Sequence, residues 1–156
     1  MRERSRELVA YHEAGHAVAA YTLGIEVEGV SIMEDAGSLG RSTAPLPENF
    51  NPSNEGADAI LENHLVTGVA GAASEELLTG ELSELTGKDL AGVAELLMSL
   101  ADTGAPVQAE SEEALDKAKS ILRDNWGSVQ ALAEALLEYE ELEREGVLAV
   151  LQKTKG

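Results

Sequence analysis

Tyr11-His12-Glu13-Ala14-Gly15-His16 is the stretch around which the rest of the chain is read. It lies in a segment, Arg4 to Leu23, whose flanking Val9, Ala17, Ala20 and Tyr21 predict a helix. Residues four apart on an α-helix share one face, one turn above the other. His12 and His16 can therefore present two imidazoles to a single ion, with Glu13 beside them. The chain has 3 histidines, and two of them fall in this short stretch.

The pattern HExxH has a definite chemical content. Zn²⁺ held by two such imidazoles lowers the pKa of bound water from ~15.7 to about 7. A neighbouring carboxylate, here Glu13, can then act as general base and later hand the proton to a leaving amine. On a helix this is the metalloprotease pattern. The bland alternative is a pair of histidines on a core-facing or solvated helix with no metal.

Composition narrows the setting. At 156 residues the chain suits one domain, residues 1–156. It has no cysteine, which leaves His, Asp and Glu as metal donors, and it fits a reducing, cytoplasmic location or the cytoplasmic face of a membrane. The formal net charge of −18 argues against nucleic acid and against anionic membrane surfaces, both of which recruit Lys and Arg. It is compatible with basic peptides and with simple solubility. The weakly polar run from Leu65 to Ala73 is interrupted by Thr67, Gly68 and Gly71, short of the ~20 apolar residues that a membrane span needs. The charged N-terminal stretch is not followed by an apolar region, so a signal peptide is not expected.

Taken in order, the chain predicts a mainly α fold. It has an HExxH helix of zincin type, one small β-hairpin with an edge strand, and a C-terminal helical bundle. Gly24 closes the first helix, because glycine tolerates the left-handed C-terminal position. The β-branched residues of 25–33 predict a strand, and 38–44 a weaker partner across a turn at Glu34–Gly37, stopped by Pro45 and Pro47. Ala57 to Leu78 reads as a long helix. Its Gly68 and Gly71 each cost ~1 kcal/mol relative to Ala, and they predict a second backbone packed close by. Further helices are expected from Thr86 to about Leu100, from an N-cap at Ser111 to Asn125, from an N-cap at Ser128 to Tyr139, and over 144–152.

A catalytic zinc site commonly has three protein ligands. His64 is the remaining histidine and reads as an ordinary surface or capping residue. Carboxylate candidates for the third ligand are Glu75 and Glu76, on the Ala-rich helix, and Asp89, at the start of the next helix. Asp89 also fits a capping box with Thr86, in which the acid only satisfies the helix end. Spacing alone leaves these candidates open.

Several ordered segments resemble one family. Tyr11-His12-Glu13-Ala14-Gly15-His16-Ala17 is similar to the zinc motif of the FtsH family of ATP-dependent zinc metalloproteases. The run from Ser38-Leu39-Gly40 to Leu46-Pro47 resembles that family's substrate-side strand, which ends in Leu-Pro. Gly71-Ala72-Ala73-Ser74-Glu75-Glu76-Leu77 resembles its Gly-Arg-Ala-Ala-Glu-Glu-Leu segment, and Thr86-Gly87-Lys88-Asp89-Leu90 its Thr-Gly-Ala-x-Asn-Asp-Leu segment. Leu136-Leu137-Glu138-Tyr139-Glu140-Glu141-Leu142 is like its Leu-Leu-Glu-x-Glu-Thr-Leu. The resemblance implies a helical zinc peptidase domain with Zn²⁺ on His12, His16 and Asp89, and Glu13 as catalytic base. It also implies that Glu75 or Glu76 orients a ligand imidazole, and that Gly40, Arg41, Ser42 and Thr43 bind an extended polypeptide substrate by strand addition.

The same resemblance brings departures. Members of the family carry membrane spans and an ATPase module before the peptidase, whereas these 156 residues hold no GxxxxGK[ST] motif. ATP-driven unfolding must then come from elsewhere, such as a separate ATPase, and the chain is expected to be either a peptidase domain cut from a longer protein or a stand-alone relative. A homo-oligomer, a hexamer by family analogy, is one expected assembly. Two further readings stand beside the endopeptidase: a gluzincin-like peptidase with Glu75 or Glu76 as third ligand, and a non-catalytic zinc-holding adaptor or regulatory module.

Overall fold

A computed structural model of the chain describes residues 6–27, 29–33, 56–81, 87–102 and 107–155; within the helices the side chains of 58, 87–90, 107 and 155 fall outside that description. The described residues form six helices and one two-stranded sheet: α1 Arg6–Thr22, β1 Val30–Ser31, α2 Ala57–Thr79, α3 Gly87–Asp102, α4 Val107–Asp124, α5 Trp126–Tyr139, β2 Glu141–Leu142 and α6 Arg144–Lys155. No described helix is long and apolar enough to cross a membrane.

The two helices that matter most follow their sequence signals closely. α1 ends at Thr22, and Gly24 takes φ +78° where the chain turns away. α2 starts and ends at glycines in left-handed conformation, Gly56 and Gly80, and the Gly80 N–H returns to the Glu76 carbonyl at 2.7 Å. From Ala10 to Ala20 every residue of α1 is buried except Glu13, which is half-buried. A helix lined with Ala and Gly can accept neighbours on more than one side. α1 packs against α2 on one flank and α5 on another, with α4 and β1 completing its surroundings. One apolar core runs through all of these elements, from Leu61 and Leu65 on α2 to Leu132, Leu136 and Leu151 near the C-terminus.

The small sheet differs from the hairpin expected of residues 25–33 and 38–44. Strand β1 is two residues long and its described partner is β2, antiparallel, with Val30 opposite Leu142 and Ser31 opposite Glu141. The Ile32 N–H extends the pairing to the Glu140 carbonyl at 2.9 Å. The reason lies at the end of α5. Glu140 takes φ +69° and returns its N–H to the Leu136 carbonyl, which turns the chain sharply into β2. Arg144 then holds Glu26 at 2.7 Å, and Gly29 leaves room for the Leu142 carbonyl, which would stand 3.0 Å from a Cβ there. The expected second strand, 38–44, lies outside the described residues.

Two expected serine caps also move inside helices. α4 begins at Val107, a turn before Ser111, so that Glu110 becomes the acid of its first turn. α5 begins at Trp126, directly after Asn125, and Ser128 spends its hydroxyl on Thr154 of α6 at 2.7 Å.

Candidate metal centre

The site is built where α1 crosses α2. Both histidines are buried, His12 at 8% and His16 at 1% exposure, which an imidazole tolerates only when its nitrogens are satisfied. Each has its Nδ1 engaged by α2. His12 Nδ1 meets Glu75 Oε2 in a close, buried contact, and His16 Nδ1 lies 2.7 Å from the Thr67 carbonyl, which can only accept. The carbonyl fixes the His16 proton on Nδ1, and a carboxylate does the same for His12. Both Nε2 atoms are thereby set to carry lone pairs, and they face each other at 3.2 Å with the rings near perpendicular, at 79°.

Two acceptor nitrogens at that distance are compatible when a shared proton or a metal ion lies between them. Two nitrogens bound to one tetrahedral Zn²⁺ at about 2.0–2.1 Å stand about 3.3 Å apart, so the separation fits that ion. The space is kept open by Gly71. A Cβ at Gly71 would come within 2.5 Å of His12 Nε2 and His16 Nε2. The expectation that Gly71 marks a close backbone is therefore corrected: its neighbours are the two imidazoles. The close backbone approach belongs to Gly15, inside the HExxH stretch, where a Cβ would stand 2.7 Å from the Ala70 carbonyl. Gly68 meets Val93 of α3, whose methyl would lie 3.0 Å from a Cβ.

The side chain of Asp89 lies outside the described residues, as do Gly40, Arg41, Ser42 and Thr43.

The remaining candidates are distributed as follows. Glu13 is half-buried on α1. Glu75, 6% exposed, engages the edge of His12 that points away from the paired Nε2 atoms. Glu76 turns the other way, to Lys119 of α4 at 3.3 Å. His64 bonds back to the Ile60 carbonyl of its own helix at 2.9 Å. Next to the pair, Tyr11 stacks on Trp126 with ring centroids 5.6 Å apart. Burial pushes the Tyr11 phenol above its ordinary pKa, and the charges of Glu7 and Glu134 push it further.

Thr67, Gly71 and Ser74 did not stand out in sequence as parts of the site. Thr67 contributes a main-chain carbonyl, which any residue type could supply, so only the 67–71–75 spacing along one face of α2 marks it. Gly71 was conspicuous as a helical glycine, but its partner was not.

Comparison with known proteins places this arrangement. Residues 1–103 match the model of peptidase family M41. The chain is similar to the ATP-dependent zinc metalloprotease FtsH 4 of Sphaerobacter thermophilus, 29% identical over 97% of this chain and 29% of the relative. It is also similar to YME1L of Drosophila melanogaster, 28% identical over 98% of this chain and 25% of the relative. With FTSH 11 of Arabidopsis thaliana, named chloroplastic/mitochondrial, it is 30% identical over 96% of this chain and 22% of the relative. The chain thus spans well under a third of the length of these relatives. The family match over most of the chain, on the segment that holds the paired histidines and their α2 partners, shows that this chain belongs to peptidase family M41, as a metalloendopeptidase domain of the FtsH type.

Proposed function

We propose that this chain is a zinc-dependent endopeptidase that cleaves unfolded proteins or peptides, with His12, His16 and Asp89 as metal ligands and Glu13 as general base. The observation that carries this reading is the pair of Nε2 atoms 3.2 Å apart, each ring locked from behind by α2. Bound zinc would supply Lewis-acid polarisation of the scissile carbonyl and acidify a water at the site. The chain's own residues do the rest. Glu75 and the Thr67 carbonyl hold the imidazoles in one tautomer and one orientation. Glu13 takes a proton from the water and delivers it to the leaving amine.

Asp89 as third ligand is supported by the likeness of Thr86-Gly87-Lys88-Asp89-Leu90 to the family's segment, within the residues that match peptidase family M41. The gluzincin-like alternative is less well supported, because Glu75 is committed to His12 Nδ1 and Glu76 to Lys119. The segment 40–43 is the proposed peptide-binding edge. The named relatives are ATP-dependent, and a separate ATPase feeding unfolded chains to this domain, arranged as a homo-oligomer, is consistent with them.

Glu13→Gln tests the assignment. The variant should retain zinc and lose about 10²–10⁴-fold in the rate of casein hydrolysis. Cleavage at the wild-type rate would remove Glu13 from the mechanism. Wild-type protein that binds zinc but cleaves no unstructured polypeptide would favour the adaptor reading.

A further inference from the structure

Ser74 is fully buried in the middle of α2. A serine inside a helix commonly turns its hydroxyl back to a carbonyl of its own preceding turn. Ser74 does not. Its Oγ crosses to α1 and donates to the Tyr11 carbonyl at 2.6 Å. The bond is possible because Gly15 lies opposite. A side chain there would bring a Cβ to 2.6 Å from the Ser74 Cβ. Two consecutive residues of α2 thus hold two consecutive residues of α1. Ser74 takes the main chain of Tyr11, and Glu75 takes the ring of His12.

These two contacts constrain different motions. The Glu75 contact fixes how the His12 ring is turned, but a carboxylate on a flexible side chain follows the ring if α1 slides. The Ser74 bond ties backbone to a short, buried side chain, and so limits sliding and rotation of α1 on α2. The separation of the two Nε2 atoms depends on where both rings stand relative to Thr67 and Glu75 of α2. A shift of α1 by a few tenths of an ångström alters it, because the His16 contact is to a main-chain carbonyl that cannot follow.

We propose that Ser74 is a positioning residue for the histidine pair, setting metal affinity and coordination geometry by locking the α1 main chain one residue before His12. The inference rests on His12 and His16 being metal ligands. It assigns no contact with substrate or metal to Ser74.

The test is cobalt(II) and zinc(II) binding to the full chain, wild type beside Ser74→Ala, with thermal unfolding of the metal-free proteins. Ser74→Ala should lower zinc affinity by about three- to tenfold in chelator competition, below the 10–100-fold typical of a group that touches the ligand directly. The visible absorption of the cobalt form should shift in position or intensity, reporting an altered ligand geometry. A purely structural role would lower the unfolding temperature and leave both the affinity and the cobalt spectrum at wild-type values, and that result overturns the proposal. Ser74→Cys, which keeps a small side chain with a weak donor, should fall between the two proteins and serves if the alanine variant does not fold. Wild-type protein that binds neither metal would count against the metal centre itself, a result distinct from equal binding by both proteins.

Discussion

The α1–α2 crossing and the C-terminal helices are built on opposite principles. Around the histidine pair, the crossing uses small or polar buried residues: Ala14, Gly15, Ala70, Gly71 and Ala73 beside His12, His16, Thr67, Ser74 and Glu75. In the C-terminal half, α5 and α6 meet the core through large aliphatic residues, with Val129, Leu132, Leu136, Val147 and Leu151 all at 1% exposure or less. Small residues let two helices come close enough for side chains of one to bond the other. Large ones supply apolar burial, the greater part of stability. The comparison indicates that the crossing is shaped for geometry and the C-terminal half for stability.

Substitutions that act on one region and spare the other sharpen or break this division. The largest effect on stability is expected for Leu132→Ala, which empties a fully buried site and should cost ~2–5 kcal/mol in denaturant unfolding. Zinc affinity of the folded fraction should stay near wild type. A parallel collapse of metal binding would mean that the two regions are not separable.

Gly71→Ala should have a smaller effect on stability, ~1–3 kcal/mol from overpacking, and a much larger effect on metal binding, since the added methyl occupies the place where the imidazoles converge. Gly92→Ala, on an exposed face of α3 with nothing within 4 Å of the new Cβ, is the control with opposite sign. It should stabilise by about 0.5–1 kcal/mol, because alanine is the better helix former. Equal effects at Gly71 and Gly92 in calorimetry and zinc titration would show that the close contacts at Gly71 carry no constraint. Least is expected of Arg144→Ala. Its ion pair with Glu26 is more than half exposed, and such pairs contribute below ~1 kcal/mol. A larger loss in thermal unfolding would make the β1–β2 corner a structural lock.

The sequence revealed the crossing better than it revealed the rest. The end of α1 could be read because Gly24 punctuates it, and α2, expected over Ala57 to Leu78, runs over Ala57–Thr79. The histidine pair could be read because a four-residue spacing has one meaning on a helix. The partner of β1 could not be read. A two-residue pairing across more than a hundred residues leaves no periodicity, and it depends on the turn at Glu140, a residue type that rarely adopts positive φ. Ser111 and Ser128 show a different ambiguity, since a serine that is a good cap also serves inside a helix when a partner such as Thr154 is at hand. Asp89 drew its priority among the acids from resemblance alone.

The stacking of Tyr11 on Trp126 has an optical consequence. Trp126 is the single tryptophan of the chain, and it lies against the residue that precedes His12. Its emission is therefore a native reporter of the α1 turn that carries the histidines. Any step that shifts that turn, such as metal entering or leaving, can be followed in real time by intrinsic fluorescence, without a label.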